Sequence, residues 1–220
     1  MRVPNMTVPG ERATRARAPN SASGEVARAY DRIAFLYDLY DAPMSALGGR
    51  RRRRRLLSRA AGRVLEVGIG TGANLDLYPP GIQLTGIDIS AKMLARARRR
   101  AARLGSHARL QQADVEQLPF ADATFDAVVA TWVFCAVADP LRGLREVRRV
   151  VRPDGQVLLL EHVRPANPLA ARLALLLSPM IRRLIGAEAD RRTEDIVARS
   201  GLRIVEAHGE AIWREIIAVR

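Results

Sequence analysis

The stretch Arg63-Val-Leu-Glu-Val-Gly-Ile-Gly-Thr-Gly-Ala-Asn-Leu75 leaves a chain few ways to fold. The apolar run Val64 to Val67 has the character of a strand buried on both faces of a parallel sheet. Three glycines follow at alternate positions, Gly68, Gly70 and Gly72, and a helix is expected to start near Thr71 or Gly72. Strand, tight turn and helix N-terminus in that order specify an α/β unit. Glycine permits positive φ and lets a ligand approach the main chain closely. A helix N-terminus offers unpaired N–H groups and the positive end of a dipole to an anion. Two carboxylates sharpen the reading. Glu66 stands just before the first glycine, where a strand ends and a bound cation can be met. Asp88 closes a second apolar run, Ile82 to Asp88, about twenty residues past the turn, where an acid can accept both hydroxyls of a ribose. Such a site suits a nucleoside, an anion and a cation.

A dinucleotide fits less well. Its fingerprint is G-x-G-x-x-G facing a pyrophosphate, whereas here the spacing is G-x-G-x-G with an acid before it that would repel one. Glu66-Val-Gly68-Ile-Gly70-Thr-Gly72 resembles, without departure, the first motif of class I S-adenosylmethionine-dependent methyltransferases. That resemblance implies a Rossmann-like α/β fold: a seven-stranded, mostly parallel sheet with helices on both faces and an antiparallel last strand. It implies S-adenosyl-L-methionine as cofactor. Asp88 would then hold the ribose, while Ile89 and Met93 sandwich the adenine. Asp114 and Val115 match the family's acid-plus-apolar pair, the carboxylate for the adenine amino group and the next N–H for the ring. An Asp ending a strand can equally cap the following turn. Glu66, the glycines and the backbone of Thr131 are read as holding the methionine end.

The remaining chain is consistent with that plan. Residues 1–24 are rich in Pro, Ala, Arg, Ser and Asn without periodicity, which reads as a disordered basic tail; residues 25–220 read as the catalytic domain. Within it, 25–60 are expected as helices over the pocket. Tyr30 to Asp38 resembles the opening of the ubiquinone/menaquinone methyltransferases, and by that resemblance Tyr37 reaches the methionine end; packing with a wet hydroxyl is the plainer account. Arg50 to Arg55 are six consecutive arginines, read first as a solvated helix and second as a contact to phosphate or membrane. Ser90 is placed as the cap of a helix to Leu104. Strands are expected at 109–114, 125–131 and 156–161, with a turn at Arg152 to Gly155. A closing hairpin, 202–207 and 212–219, would turn around His208-Gly209.

The end of the fourth strand, Thr131-Trp-Val-Phe-Cys-Ala-Val137, falls at the sheet's switch point, where open α/β sheets bind ligands. It carries no Asn-Pro-Pro-aromatic tetrapeptide, so amino methylation of nucleobases or glutamine is disfavoured. Trp132, Val133 and Phe134 read as walls for a greasy acceptor or as core. His162, at the end of the fifth strand, is the candidate to take a proton from an acceptor; bonding the strand end is its ordinary alternative. Residues 163–190 contain an interrupted apolar run, Pro168 to Ile185, too short and too charged to span a bilayer and read as a flap over the acceptor.

Composition limits the remaining choices. A single cysteine, Cys135, excludes an internal disulfide and a cysteine-rich zinc site; no metal is expected. No run of about eighteen uncharged apolar residues exists, and a cytoplasmic home, with the inner membrane face as a second place, is the simplest reading. The net charge of +13 is nearly all arginine, since Lys92 is the sole lysine. Resemblances to phosphatidylethanolamine methyltransferases (Val64 to Gly72) and to thiol methyltransferases (Phe134 to Val137, Glu146 to Pro153, Glu161 to Val163) point, with the quinone enzymes, to a small lipophilic acceptor and an anionic membrane surface as partners. The alternative is an RNA or other nucleic-acid methyltransferase or binding protein using the basic surface. The low aromatic content, 5%, and the apolar strand end argue against it.

Overall fold

The structure, a computed structural model, describes residues 21–162, 193–210 and 213–220. Seven strands form one sheet: β1 (Arg63–Val67), β2 (Gln83–Asp88), β3 (Arg109–Gln112), β4 (Phe125–Thr131), β5 (Val151–His162), β6 (Arg203–Glu210) and β7 (Trp213–Val219). Their order is β3-β2-β1-β4-β5-β7-β6. The first five are parallel, and β7 lies between β5 and β6, antiparallel to both. This is the Rossmann-like sheet the sequence predicts. The strand order reverses between β1 and β4, which leaves a crevice at their C-terminal ends.

The central strands are apolar on both faces because both faces are covered. Leu65, Val67, Val128, Ala130, Val157 and Leu159 face α5 (Pro140–Val150), which contributes Leu144, Val147 and Val150. Val64, Ala127, Val129, Leu158 and Leu160 face α3 (Arg50–Leu57) and α4 (Ala91–Leu104), through Leu56, Leu57, Leu94 and Ala97. Each valine or leucine among them, fully buried, contributes roughly 1.5–3 kcal/mol. Local chemistry sets the helix ends. Ser90 Oγ accepts from Met93 N at 3.1 Å and caps α4 as expected, and Gly105 ends it at φ 63°. Asp139 caps α5 by accepting from Arg142 N. A short α6 (Thr193–Arg199) packs on α5.

Several local expectations are corrected. No helix follows the glycine turn. Residues 71–77 instead form successive tight turns, with Gly72 N donating to Ile69 O, Leu75 N to Gly72 O and Leu77 N to Asn74 O. Gly72 sits at φ 80°, outside helical space, and Pro79-Pro80 follow; neither sustains a helix. The turn at Arg152 to Gly155 is an irregularity inside β5: Phe125 pairs with Val151, and Ala127 with Gln156. β3 stops at Gln112, short of Asp114. His208 and Gly209 lie within β6, opposite Glu215 and Arg214, rather than in a loop.

At the N-terminal end, α1 (Ser21–Ile33) starts before the expected boundary at residue 25. It is followed by α2 (Tyr37–Met44) and a kinked turn, Ser45–Gly49, with Gly48 at φ 101°. The expected flap at 163–190 and residues 1–20 of the tail lie outside the described residues.

Candidate functional site

A cavity opens at the C-terminal ends of β1, β2 and β4, under α1 and α2. It gathers Tyr37, Gly68, Gly70, Asp88, Ile89, Met93, Asp114, Val115 and Thr131 from five separate stretches of chain. The sequence singles out all nine.

Gly68 and Gly70 adopt φ of 63° and 57°, where an L side chain is strained. A Cβ on Gly68 would stand 2.6 Å from Val133 Cγ2. The turn is pinned to β2 by Asp88, whose Oδ2 accepts from Gly70 N and whose Oδ1 accepts from Ser90 N, both at 2.8 Å. Burial pushes the Asp88 carboxyl up to about 6, against the pull of those N–H groups. Asp114 Oδ1 accepts from Glu116 N at 2.9 Å, so it does cap the following turn, and the residue also lines the cavity.

Two expected residues lie outside the cavity wall. Gly72 is a packing position: a Cβ there would meet Leu75 Cδ1 at 2.6 Å and Ala97 Cα at 3.3 Å. Glu66 is buried behind the turn, accepting from Asn74 Nδ2 and Tyr78 OH, each at 2.8 Å. Burial raises its carboxyl to about 7, opposed by those two donors. Asn74 Nδ2 also reaches Thr131 Oγ1 at 3.0 Å, so one amide ties the ends of β1 and β4 together. Nothing in the spacing of Asn74 and Tyr78 announces this. They belong to no periodic element, and only the folded turn brings them to Glu66.

The lid was legible in outline only. Ser23, Val26 and Tyr30 of α1 join Tyr37 in the wall, with the two tyrosine rings 6.1 Å apart. Three acids fasten it. Asp31 accepts from Ser90 Oγ and Lys92 N at the start of α4. Asp38 accepts from Thr71 Oγ1 at 2.6 Å and from Arg96 at 2.8 Å. Asp41 takes Arg53 through two bonds, 2.7 and 3.2 Å.

Arg53 is itself buried and lies 3.7 Å over the ring of Trp132. The six-arginine run is therefore neither simply solvated nor wholly available to a surface. Arg50 pairs with Asp76, Arg52 and Arg55 pair with Glu215, and Arg53 pairs with Asp41.

The stretch after β4 adds Trp132, Val133, Ala136, Val137 and Ala138 to the cavity wall. Phe134, expected as a wall or core, is core, 1% exposed. Trp132 holds φ 61°, and its backbone N–H donates to Leu160 O at 2.7 Å. Buried Glu161 accepts from Val133 N and Phe134 N at 3.3 and 3.0 Å and so sets this wall. His162 pairs with Trp213 across β5 and β7; its side chain lies outside the described residues. Among the described residues no cluster of His, Cys, Asp and Glu could hold a metal, and no helix is long and apolar enough to cross a membrane.

A family model described as a methyltransferase domain matches residues 65–159. The chain is 39% identical to the phosphatidylethanolamine N-methyltransferase of Cereibacter sphaeroides over 82% of its own length and 89% of that protein's. The chain belongs to the S-adenosylmethionine-dependent methyltransferases. The enzyme is also 36% identical to the ubiquinone/menaquinone biosynthesis C-methyltransferase of Citrifermentans bemidjiense, over 67% of this chain and 68% of that one. With the thiol S-methyltransferase of Homo sapiens it shares 38% identity over 49% of its length and 46% of that protein's. A solved structure of a S-adenosylmethionine-dependent methyltransferase from Thermotoga maritima aligns with a TM-score of 0.71 at 20% identity, covering 88% of this chain and 99% of that one; at that identity the likeness concerns the fold.

The enzyme's cofactor is S-adenosyl-L-methionine, and the donor set suits it. Each Asp88 oxygen holds one N–H and keeps acceptor capacity for a hydroxyl. A Cβ on Gly70 would meet nothing within 4 Å, so the space beside the turn is open.

Proposed function

We propose that this methyltransferase acts on a small lipophilic acceptor: a quinone, a phospholipid amine or a thiol. The apolar wall Trp132–Val133–Ala136–Val137 beside the cofactor turn carries this reading. Relatives named for a phospholipid, quinones and a thiol support it. The binding of many basic side chains in internal ion pairs weighs against a nucleic-acid acceptor.

Asp88 accepts the ribose hydroxyls, and Ile89 and Met93 flank the adenine. Asp114 and the N–H of Val115 meet its edge. Gly68, Gly70, Thr131 and Tyr37 surround the methionine end. Glu66 acts one layer behind, holding Asn74 and through it Thr131. The bound cofactor supplies a methyl group on a sulfonium that departs as a neutral thioether. The protein's task is then to align the acceptor with that methyl group and exclude water. His162, two residues beyond the Thr131–Leu160 pair, takes the acceptor's proton where one must leave. A peripheral position at a membrane brings such acceptors to the cavity.

A panel of labelled-methyl assays with phosphatidylethanolamine, demethylated quinones and alkyl thiols tests this. Transfer to one of them is expected. Transfer to RNA alone would overturn it.

A further inference from the structure

The lid has an outer face that its inner contacts do not explain. Four large apolar side chains stand out of it: Phe35 (69% exposed), Leu36 (49%), Leu39 (71%) and Leu47 (73%). Among the described residues the exposed large hydrophobics are these four with Leu104 and Val205, so most of the exposed apolar surface of this kind lies within thirteen positions. Ala42, Pro43 and Ala46 are exposed as well. The exposed positions run from Phe35 and Leu36, in the turn that enters α2, through Leu39 to Ala42 and Pro43 on α2, at the spacing of one helix face. Isolated exposed leucines need no explanation, but a contiguous patch marks an interaction surface.

Charge distribution indicates the partner. Between Val26 and Leu57 the chain holds three acids, Asp31, Asp38 and Asp41. Each is held by a partner, Ser90, Thr71 and Arg96, or Arg53, although Asp38 keeps part of its side chain in solvent and Glu25, one residue before this span on α1, is exposed. The exposed charged residues of the same span are all arginines: Arg28, Arg32, Arg50, Arg51, Arg54 and Arg55. Arg50 and Arg55 share carboxylates elsewhere; Arg28, Arg32, Arg51 and Arg54 remain beside the apolar stripe. A face made of apolar side chains and arginines, with three of its acids held by partners, is complementary to acyl chains under anionic headgroups.

We propose that the outer face of α2 and the Ser45–Gly49 turn docks on an anionic lipid bilayer, with Phe35, Leu39 and Leu47 entering the headgroup layer. Tyr30 and Tyr37, on the same lid, face the cavity. The docked face therefore sets the cavity mouth beside the lipid from which an acceptor would come. This rests on the lipophilic-acceptor reading and identifies the surface it needs, on the lid rather than along the arginine run as a whole.

The test is co-sedimentation of the full chain with phosphatidylcholine vesicles, plain or doped with phosphatidylglycerol. Wild-type protein is expected to bind the doped vesicles. Phe35→Ser/Leu39→Ser/Leu47→Ser is expected to lose about tenfold or more in partitioning, and Arg51→Ser about fivefold on doped vesicles only. Calorimetry with S-adenosyl-L-methionine serves as the folding control and should be unchanged. If the triple variant folds poorly, Leu39→Glu alone carries the test, since it places an acid on the docked face. Wild-type protein that ignores doped vesicles would overturn the proposal. So would a triple variant that binds them as well as wild type, or one that only turns a dimer into a monomer. Methyl transfer in neutral detergent micelles keeps the two readings apart: it should survive the triple substitution, and its absence from wild type would count against the acceptor assignment instead.

Discussion

Substituting Glu66→Gln should abolish the pH dependence that this buried carboxylate imposes on stability. Glu66 is 1% exposed, with one oxygen on Asn74 and the other on Tyr78. Burial raises its carboxyl from 4.5 to about 7. The folded protein therefore binds a proton that the unfolded chain has already released between those values. The contribution of Glu66 to stability is complete below about pH 4.5 and is lost as pH rises through 7, a difference of roughly 3 kcal/mol. A glutamine has no charge to desolvate. It does turn an amide NH2 toward one of two donors, at a cost of about 1 kcal/mol. Urea unfolding of both proteins without cofactor, at pH 5 and pH 8, reads the difference. At pH 5, where about 1 kcal/mol of that contribution is already lost, the two proteins should be nearly equal in stability, and at pH 8 the variant should be the more stable by about 2 kcal/mol. A stability gap between the two proteins that stays constant across this range would refute the reasoning, because other titrating groups cancel in the comparison.

Cofactor affinity should weaken about tenfold per pH unit below about 6, where Asp88 takes up its proton. Calorimetry across pH checks this, with Asp88→Asn expected to be flat and about tenfold to a hundredfold weaker. Arg53→Ala should cost about 3–5 kcal/mol, because it strands buried Asp41; exposed Arg51→Ala should cost under about 0.5 kcal/mol by the same denaturation assay. Glu161→Ala removes the acceptor for Val133 N and Phe134 N. It should raise the KM for the lipophilic acceptor while leaving the Kd for S-adenosyl-L-methionine within about twofold of wild type, since no cofactor group depends on it.

The sequence was most informative where one residue type has one physical use. The apolar run at 125–131 became β4 with both boundaries kept, because only a strand covered on both faces looks like that. Gly68, Gly70, Asp88 and Asp114 fell around one cavity because backbone geometry fixes what may follow a β-strand in this fold. Three-dimensional partners were not legible. Glu66 looked like a wall residue, but its position on β1 aims it at the α3–α4 side, where Asn74 and Tyr78 close over it. Six consecutive arginines on a helix must cover all its faces, but which of them turns inward depends on what the helix packs against, and it is Arg53 that is buried while Arg51 is exposed. His208-Gly209 looked like a turn by composition, but pairing with β7 carried the strand through it.

Trp132 has a consequence for anyone altering this enzyme's range. Its backbone is left-handed, φ 61°, a conformation that costs a bulky residue on the order of 1–3 kcal/mol and glycine almost nothing. Glycine there would relax the main chain but strip the indole from beneath the Arg53 guanidinium. A library built to widen the pocket should therefore spare this indole and diversify Val133, Ala136 and Val137, whose backbones lie outside the left-handed region.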